Sequence, residues 1–144
     1  MSYTAAESQC KSDGALLAVP RFESENNFIA DLITTEFWIG VNDIKEEGKF
    51  VTVEGNLSYT NWGDDQPTPN GNDEDGVELN HGYWNDARID ELNPFICLYR
   101  TIESGKNRKN HVAKTIQKKT SWGGCFAEFS GQTGSSKKIM FHRC

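Results

Sequence analysis

The chain is predicted to fold as an α+β domain. Helical spacing is confined to its first 35 residues, and short runs of β-forming residues recur up to residue 100. Between Trp62 and Tyr83 no regular period is sustained.

Tyr3 to Asp13 reads as a first helix, capped by Thr4, propagated by Ala5, Ala6, Glu7 and Gln9, and stopped by Gly14. Cys10 lies on it. The apolar run Ala15 to Val19, closed by Pro20, is consistent with a buried strand. A second helix is expected over SENNFIADLITT, with Ser24 as its cap and Phe28, Ile29, Leu32 and Ile33 on one face. Phe37 to Asn42 (FWIGVN) reads as a central strand whose glycine marks a close backbone approach. Phe50 to Val53 reads as another strand, and Phe95 to Arg100 as the last one before a tail of different character. Asn56-Leu57-Ser58 is an N-glycosylation sequon, meaningful on a secreted chain.

The 144 residues, 36% hydrophobic, suffice for one domain with its own core. No apolar run is long enough to span a membrane, and the polar start lacks the apolar segment of a signal peptide, so a secreted form would already have lost its export signal. The net charge of -6 is unevenly spread. Residues 1–100 carry six Lys or Arg against nineteen Asp or Glu, and residues 101–144 carry nine against two. The basic tail is able to meet acidic glycans, anionic membrane or nucleic acid, or to complement the acidic body, and nothing singles out nucleic acid as a partner. Four cysteines (Cys10, Cys97, Cys125 and Cys144) allow three pairings, and none stands in a zinc-type cluster. Their even count favours disulfides and an extracellular setting, with four reduced thiols as the alternative.

The stretch Gln66 to Asp86, QPTPNGNDEDGVELNHGYWND, combines two prolines with many oxygen donors. Such a loop suits Ca2+, which takes about 6–8 oxygens, or forms a solvated acidic turn. Paired acids such as Asp64 with Asp65 and Asp73 with Asp75 lack any accompanying nucleophile, so no enzyme is expected.

Taken in order, the Cys-bearing helix, FWIGVND, EGKF, Trp62, QPT, NDEDGVEL, GYWND and FIC resemble the C-type lectin-like domain family over residues 1–100. The resemblance implies two helices, two small antiparallel sheets and a long calcium-binding loop, with residues 101–144 as a basic extension. It implies a Cys10–Cys97 disulfide, with Cys125 and Cys144 as a second possible pair. The family's inner bridge falls on Gly76 and Ile89, so both halves are missing together and the loop is expected to lean on metal for order.

The same resemblance places Gln66, Thr68, Glu74, Asn85 and Asp86 on a principal calcium site that also binds sugar. Pro67 is implied to be cis. Asp43, Glu47 and Asp75, with Glu74 shared, fall on an auxiliary calcium site. In the family, two sugar hydroxyls coordinate the ion, with E-P-N accompanying mannose-type and Q-P-D galactose-type preference. Gln66 therefore points to galactose, whereas Thr68 departs from both patterns with a weaker hydroxyl ligand that Asn70 or a backbone carbonyl would replace. One of Trp62, His81 and Tyr83 is placed to stack on the apolar face of the sugar, although Trp62 and Trp84 read rather as core residues and His81 as a surface histidine.

The expectation is a secreted, extracellular, calcium-dependent binder of glycans or glycoproteins. The alternative is a structural or protein-binding domain that keeps the fold and not the sugar. The family's first strand precedes the helix at Tyr3, so the chain is expected either to be a fragment or to receive that strand from elsewhere. Candidates are Ser121 to Ser130 of the tail, or a strand-donating partner in a homo-oligomer.

Overall fold

The computed structural model describes residues 1–68 and 73–99 in full, the backbone of Arg100, and the backbone of three later strands at 118–119, 125–130 and 136–142. Helix α1 (Tyr3–Ser12) buries Tyr3, Ala6 and Cys10, which recur at helical spacing on one face. Its N-cap is Ser2 rather than Thr4, and the cap makes no side-chain hydrogen bond. Gly14 ends the helix region at φ 73°, a backbone shape that glycine adopts without strain. The apolar run after it forms only a two-residue strand, β1 (Leu16–Leu17).

Helix α2 (Glu23–Ala30) is shorter than its apolar spacing predicts, with Phe22 as N-cap and Ser24 in the first turn. The β-branched Ile33, Thr34 and Thr35 follow its end, and such side chains lose rotamer freedom in a helix. The helix buries two polar residues beside Ile29. Glu25 accepts the Arg21 backbone N–H at 3.0 Å, and Asn26 is anchored on both its amide atoms as described below.

Strand β2 (Phe37–Asn42) is buried along all but its last residue. A Cβ at Gly40 would stand 2.7 Å from the Leu17 carbonyl and 2.8 Å from Val19 and Val53, so only glycine lets these segments close. Antiparallel to β2 run β3 (Val51–Thr52) and β5 (Gly76–Asn80). β3 pairs outward with β4 (Gly55–Asn56), and β5 with β6 (Tyr83–Ala87). Strand β7 (Phe95–Arg100) pairs antiparallel with β1 and meets β2 in parallel at Trp38 and Phe95, which joins the antiparallel ladders into one branched sheet.

Beyond Arg100 the described segments are β8 (Lys118–Lys119), β9 (Cys125–Ser130) and β10 (Ser136–His142). β10 pairs with β7 along the whole length of β7, from Lys137 opposite Arg100 to His142 opposite Phe95. The expected donor segment contains β9, which instead pairs with β10 and with β8. A Cys125–Cys144 pairing lies outside the described residues.

Two apolar clusters flank β2. On one side Trp38 packs with Tyr3, Ala6, Cys10, Leu17, Phe95 and Cys97. On the other, Phe37, Ile39 and Val41 pack with Ile29, Val77, Leu79, Trp84 and Ile96. The Cys10–Cys97 disulfide expected from the resemblance is formed and joins α1 to β7 across 87 positions. Closing so long a loop contributes ~4–5 kcal/mol in the chain-entropy account.

Candidate functional site

The loop and the hairpin that follows it carry the candidate residues. His81 (φ 48°) and Gly82 (φ 90°) form the two-residue turn between β5 and β6, and two positive φ values match the twist a tight hairpin needs. The Asn26 amide donates to the Gly82 carbonyl at 2.7 Å and its oxygen accepts the Trp84 indole N–H at 2.8 Å. Asn61 donates to the same carbonyl at 2.6 Å. The hairpin is thereby fastened to α2 and to the start of the loop.

Register pairs Val77 with Asp86 and Glu78 with Asn85. Because successive strand residues point to opposite faces, Asp86 and Asn85 diverge although they are neighbours. Asp86 is buried, and its carboxylate oxygens accept the Thr68 N–H at 3.0 and 2.9 Å. The Gln66–Pro67 peptide is cis, and the Thr68 hydroxyl donates to Gln66 Oε1 at 3.4 Å. Gln66, Thr68 and Asp86 are thus brought together. Glu74 is half-buried just before β5, and Asn70 lies outside the described residues.

Asn85 has another partner. Its amide donates at 2.9 Å to one oxygen of Glu78, while the Asn93 amide donates at 2.7 Å to the other. Burial pushes the Glu78 carboxyl upward, and Glu36 and Glu91 add to this against the lowering effect of the two amides. Sequence reasoning missed Glu78. The signal was its place between Val77 and Leu79, an acid within an alternating apolar run, but alternation ordinarily puts such a residue in solvent.

The auxiliary group sits just after β2. The Asp43 N–H donates to the Asp75 carbonyl at 3.1 Å, and Asp43 Oδ2 accepts the Gly48 N–H at 2.7 Å. Among the described residues, Oδ1 of the same buried carboxylate has no hydrogen-bond partner. Burial raises the Asp43 pKa, the Gly48 N–H opposes the rise, and the negative charges of Asp75 and Asp86 reinforce it. Glu47 is exposed and is also shifted upward, by partial desolvation and then by Asp43, Asp75, Asp86 and Asp73. Asp43, Glu47 and Asp75 therefore share one field with Asp86. Among the described residues no three Asp, Glu, His or Cys side chains are gathered closely enough to hold a metal ion as they stand. The donor set nevertheless suits a hard cation: all are oxygens, most are anionic, and a buried one lacks a partner.

The aromatic candidates separate cleanly. Trp84 is buried, Trp62 stacks edge-on against it at 5.6 Å and against Phe50 at 4.8 Å, and Tyr83 is 59% exposed. His81 is exposed and bonded to Asn80 at 2.8 Å. No described helix is long and apolar enough to cross a membrane.

A helix-flanked, disulfide-tied sheet carrying a cis-proline loop over a Trp-Asn-Asp strand defines a class of fold before any comparison. A family model described as "Lectin C-type domain" matches residues 1–99, and the chain belongs to that family. The family is a family of binding domains and not of enzymes. The chain is 37% identical over 93 residues to a Gallus gallus mannose-binding protein, covering 62% of this chain and 37% of the relative. It is 36% identical over 105 residues to Gallus gallus collectin-10, covering 68% and 38%. The chain thus spans well under half the length of these relatives. Among solved structures, the mouse scavenger receptor C-type lectin carbohydrate-recognition domain superposes with a TM-score of 0.62 at 29% identity, covering 67% of this chain and 80% of that one.

Proposed function

We propose that residues 1–100 form a calcium-dependent carbohydrate-recognition domain that works outside the cell, and that 101–144 form an extension contributing β10 to the sheet. The observation that carries this reading is Asp43 Oδ1, buried without a hydrogen-bond partner among the described residues and in the field of Asp75 and Asp86. Leaving a charged oxygen buried without a partner costs free energy, and a cation offsets that cost. Asp43, Glu47 and Asp75 would hold calcium at the auxiliary position, and Gln66, Thr68, Glu74 and Asp86 at the principal one, which Asn85 would join by turning away from Glu78. Calcium, when bound, supplies open coordination positions for adjacent sugar hydroxyls.

The protein's own groups orient the sugar. Asp86 holds the Thr68 backbone and thereby the turn carrying Gln66. Gln66 offers both a donor and an acceptor to a hydroxyl, and it supports a galactose-type preference by its match to Q-P-D. Exposed Tyr83 offers a face for the apolar side of the ring. The relatives named mannose-binding protein and carbohydrate-recognition domain support sugar as the ligand class. The disulfide supports an extracellular setting.

A second reading, a lectin-like domain that binds protein and not sugar, draws on one observation. The Thr68 hydroxyl and the Asn85 amide are already engaged by Gln66 and Glu78. Retention on immobilised galactose in calcium and release by EDTA support the first reading. Failure to retain on galactose, mannose or any arrayed glycan at saturating calcium refutes it and leaves the second.

A further inference from the structure

We infer that Asn56 is an N-glycosylation site, and that its glycan covers the free edge of the sheet. The tripeptide Asn56-Leu57-Ser58 is the one Asn-X-Ser/Thr sequence in the 144 residues, and its middle residue is not the proline that the motif excludes. Its place in the fold supplies the rest of the argument. Both residues of β4 are exposed, and Ser58 is exposed as well. Leu57 between them is half-buried against the apolar cluster around Trp84, which pins the segment. Backbone pairing of Asn56 with Val51 holds it extended. Among the described residues no side-chain hydrogen bond engages the Asn56 amide, so attachment there removes no contact of the fold.

Among the described residues β4 is the terminal strand of the sheet order, with one edge unpaired. An open edge invites pairing with another chain, and proteins blunt it with charge, proline, twist or cover. β4 is only Gly-Asn and carries neither charge nor proline of its own. A bulky hydrated glycan on Asn56 provides the cover. Beside it lies a solvent-open hollow of about 330 Å3 whose lining includes Pro20, Arg21, Glu54, Asn56, Leu57 and Ser58. Arg21 and Glu54 are ion-paired there, so the hollow presents polar groups, with Pro20 and Leu57 beside them, to a first sugar residue.

The transfer balances as a simple substitution. Asn56 Nδ2 attacks the anomeric carbon of a polyprenyl-diphosphate-linked oligosaccharide. A C–N bond forms, the anomeric C–O bond breaks, the diphosphate leaves with the electron pair, and one amide proton is released to a base.

The inference rests on the extracellular reading, because such donors act on chains entering the export pathway. The full chain, given an export signal, would be produced in cultured animal cells and its Asn56 peptide weighed before and after glycan release by peptide-N-glycosidase. Expected is a glycosylated peptide that glycosidase converts to the Asp form, with the gel shift lost in Asn56→Gln and Ser58→Ala and kept in Ser58→Thr. An unmodified Asn56 on secreted protein with an intact Cys10–Cys97 bridge overturns the inference and leaves the extracellular reading standing. Secretion only as reduced, aggregated chain overturns both.

Discussion

The two groups of candidate ligands sit next to each other and are built in opposite ways. Around Asp43 the carboxylates lie within one another's field, with an oxygen left over among the described residues, so the protein alone is electrostatically frustrated there. Around Asp86 the polar groups are mutually satisfied: Thr68 serves Asp86, the Thr68 hydroxyl serves Gln66, and Asn85 serves Glu78. A cation entering the first group relieves repulsion, whereas one entering the second must exchange hydrogen bonds for coordination. Asp86 belongs to both, through its field on Asp43 and its hold on Thr68.

Breaking that shared member carries the largest expected effect. Asp86→Ala should lower calcium affinity by more than the roughly 10–100-fold that loss of an outer partner of a metal site costs, as read by titration calorimetry. Unchanged affinity would disprove the assignment of both groups.

Next in size is restoration of the missing loop staple. A Cβ at Gly76 would lie 3.3 Å from the Ile89 Cγ2 atom, so Gly76→Cys with Ile89→Cys is positioned to form a bridge. Closing this loop contributes about 3 kcal/mol in the chain-entropy account, offset in part by the crowding that any Cβ at Gly76 meets, and should shrink the difference between denaturation curves with and without EDTA. Gly76→Ala alone should destabilise, since its methyl would meet the Tyr3 ring at 3.0 Å and the Trp38 ring at 3.2 Å.

Thr68→Asp sharpens the satisfied side. It restores Q-P-D and puts a carboxylate where a hydroxyl stands, so galactose retention should strengthen by about tenfold, the equivalent of about 1.4 kcal/mol. No gain on a galactose column would argue that the loop's internal hydrogen bonds, and not the ligand type, limit binding.

The smallest effect tests the frustrated side by pH. Asp43 has a raised pKa in the fold, so the folded state keeps a proton that the unfolded chain has already lost. Calcium-free stability from this group is therefore greatest in acid and falls as pH rises from the ordinary carboxylate range through the raised value. Asp43→Asn should flatten that slope and raise the calcium-free Tm at neutral pH, while weakening calcium binding. A lower Tm without calcium would mean that the carboxylate is needed for the Gly48 turn more than it is penalised by its neighbours.

Much of this was legible in one dimension. FWIGVN and FICLYR read as strands because dense runs of β-branched and aromatic residues belong in a buried sheet, and both bounds agree with β2 and β7. Helix limits were less legible, since α2 stops at Ala30 where the apolar spacing continues. The β5–β6 hairpin is not legible in the sequence because His81-Gly82 is not among the strong turn dipeptides, and its strands hold Glu78, Asn80, Asn85 and Asp86. β10 in the tail is equally illegible, since Ser136–His142 follows no alternating pattern that marks an edge or a centre.

The sequence by itself determined the family, through the order of its motifs, and the kinds of atoms offered to a ligand. It also determined the cysteine that belongs with α1 and the one that belongs with β7, because the resemblance carries both positions. Only the tertiary structure decided which donors were already spent. Chain proximity puts Asn85 and Asp86 side by side, but strand alternation sends them to opposite faces, one to Glu78 and the other to Thr68. Hydrogen bonding and burial depend on neighbours that are distant in the chain, as Asp43 and Asp86 are, and no local pattern encodes that distance.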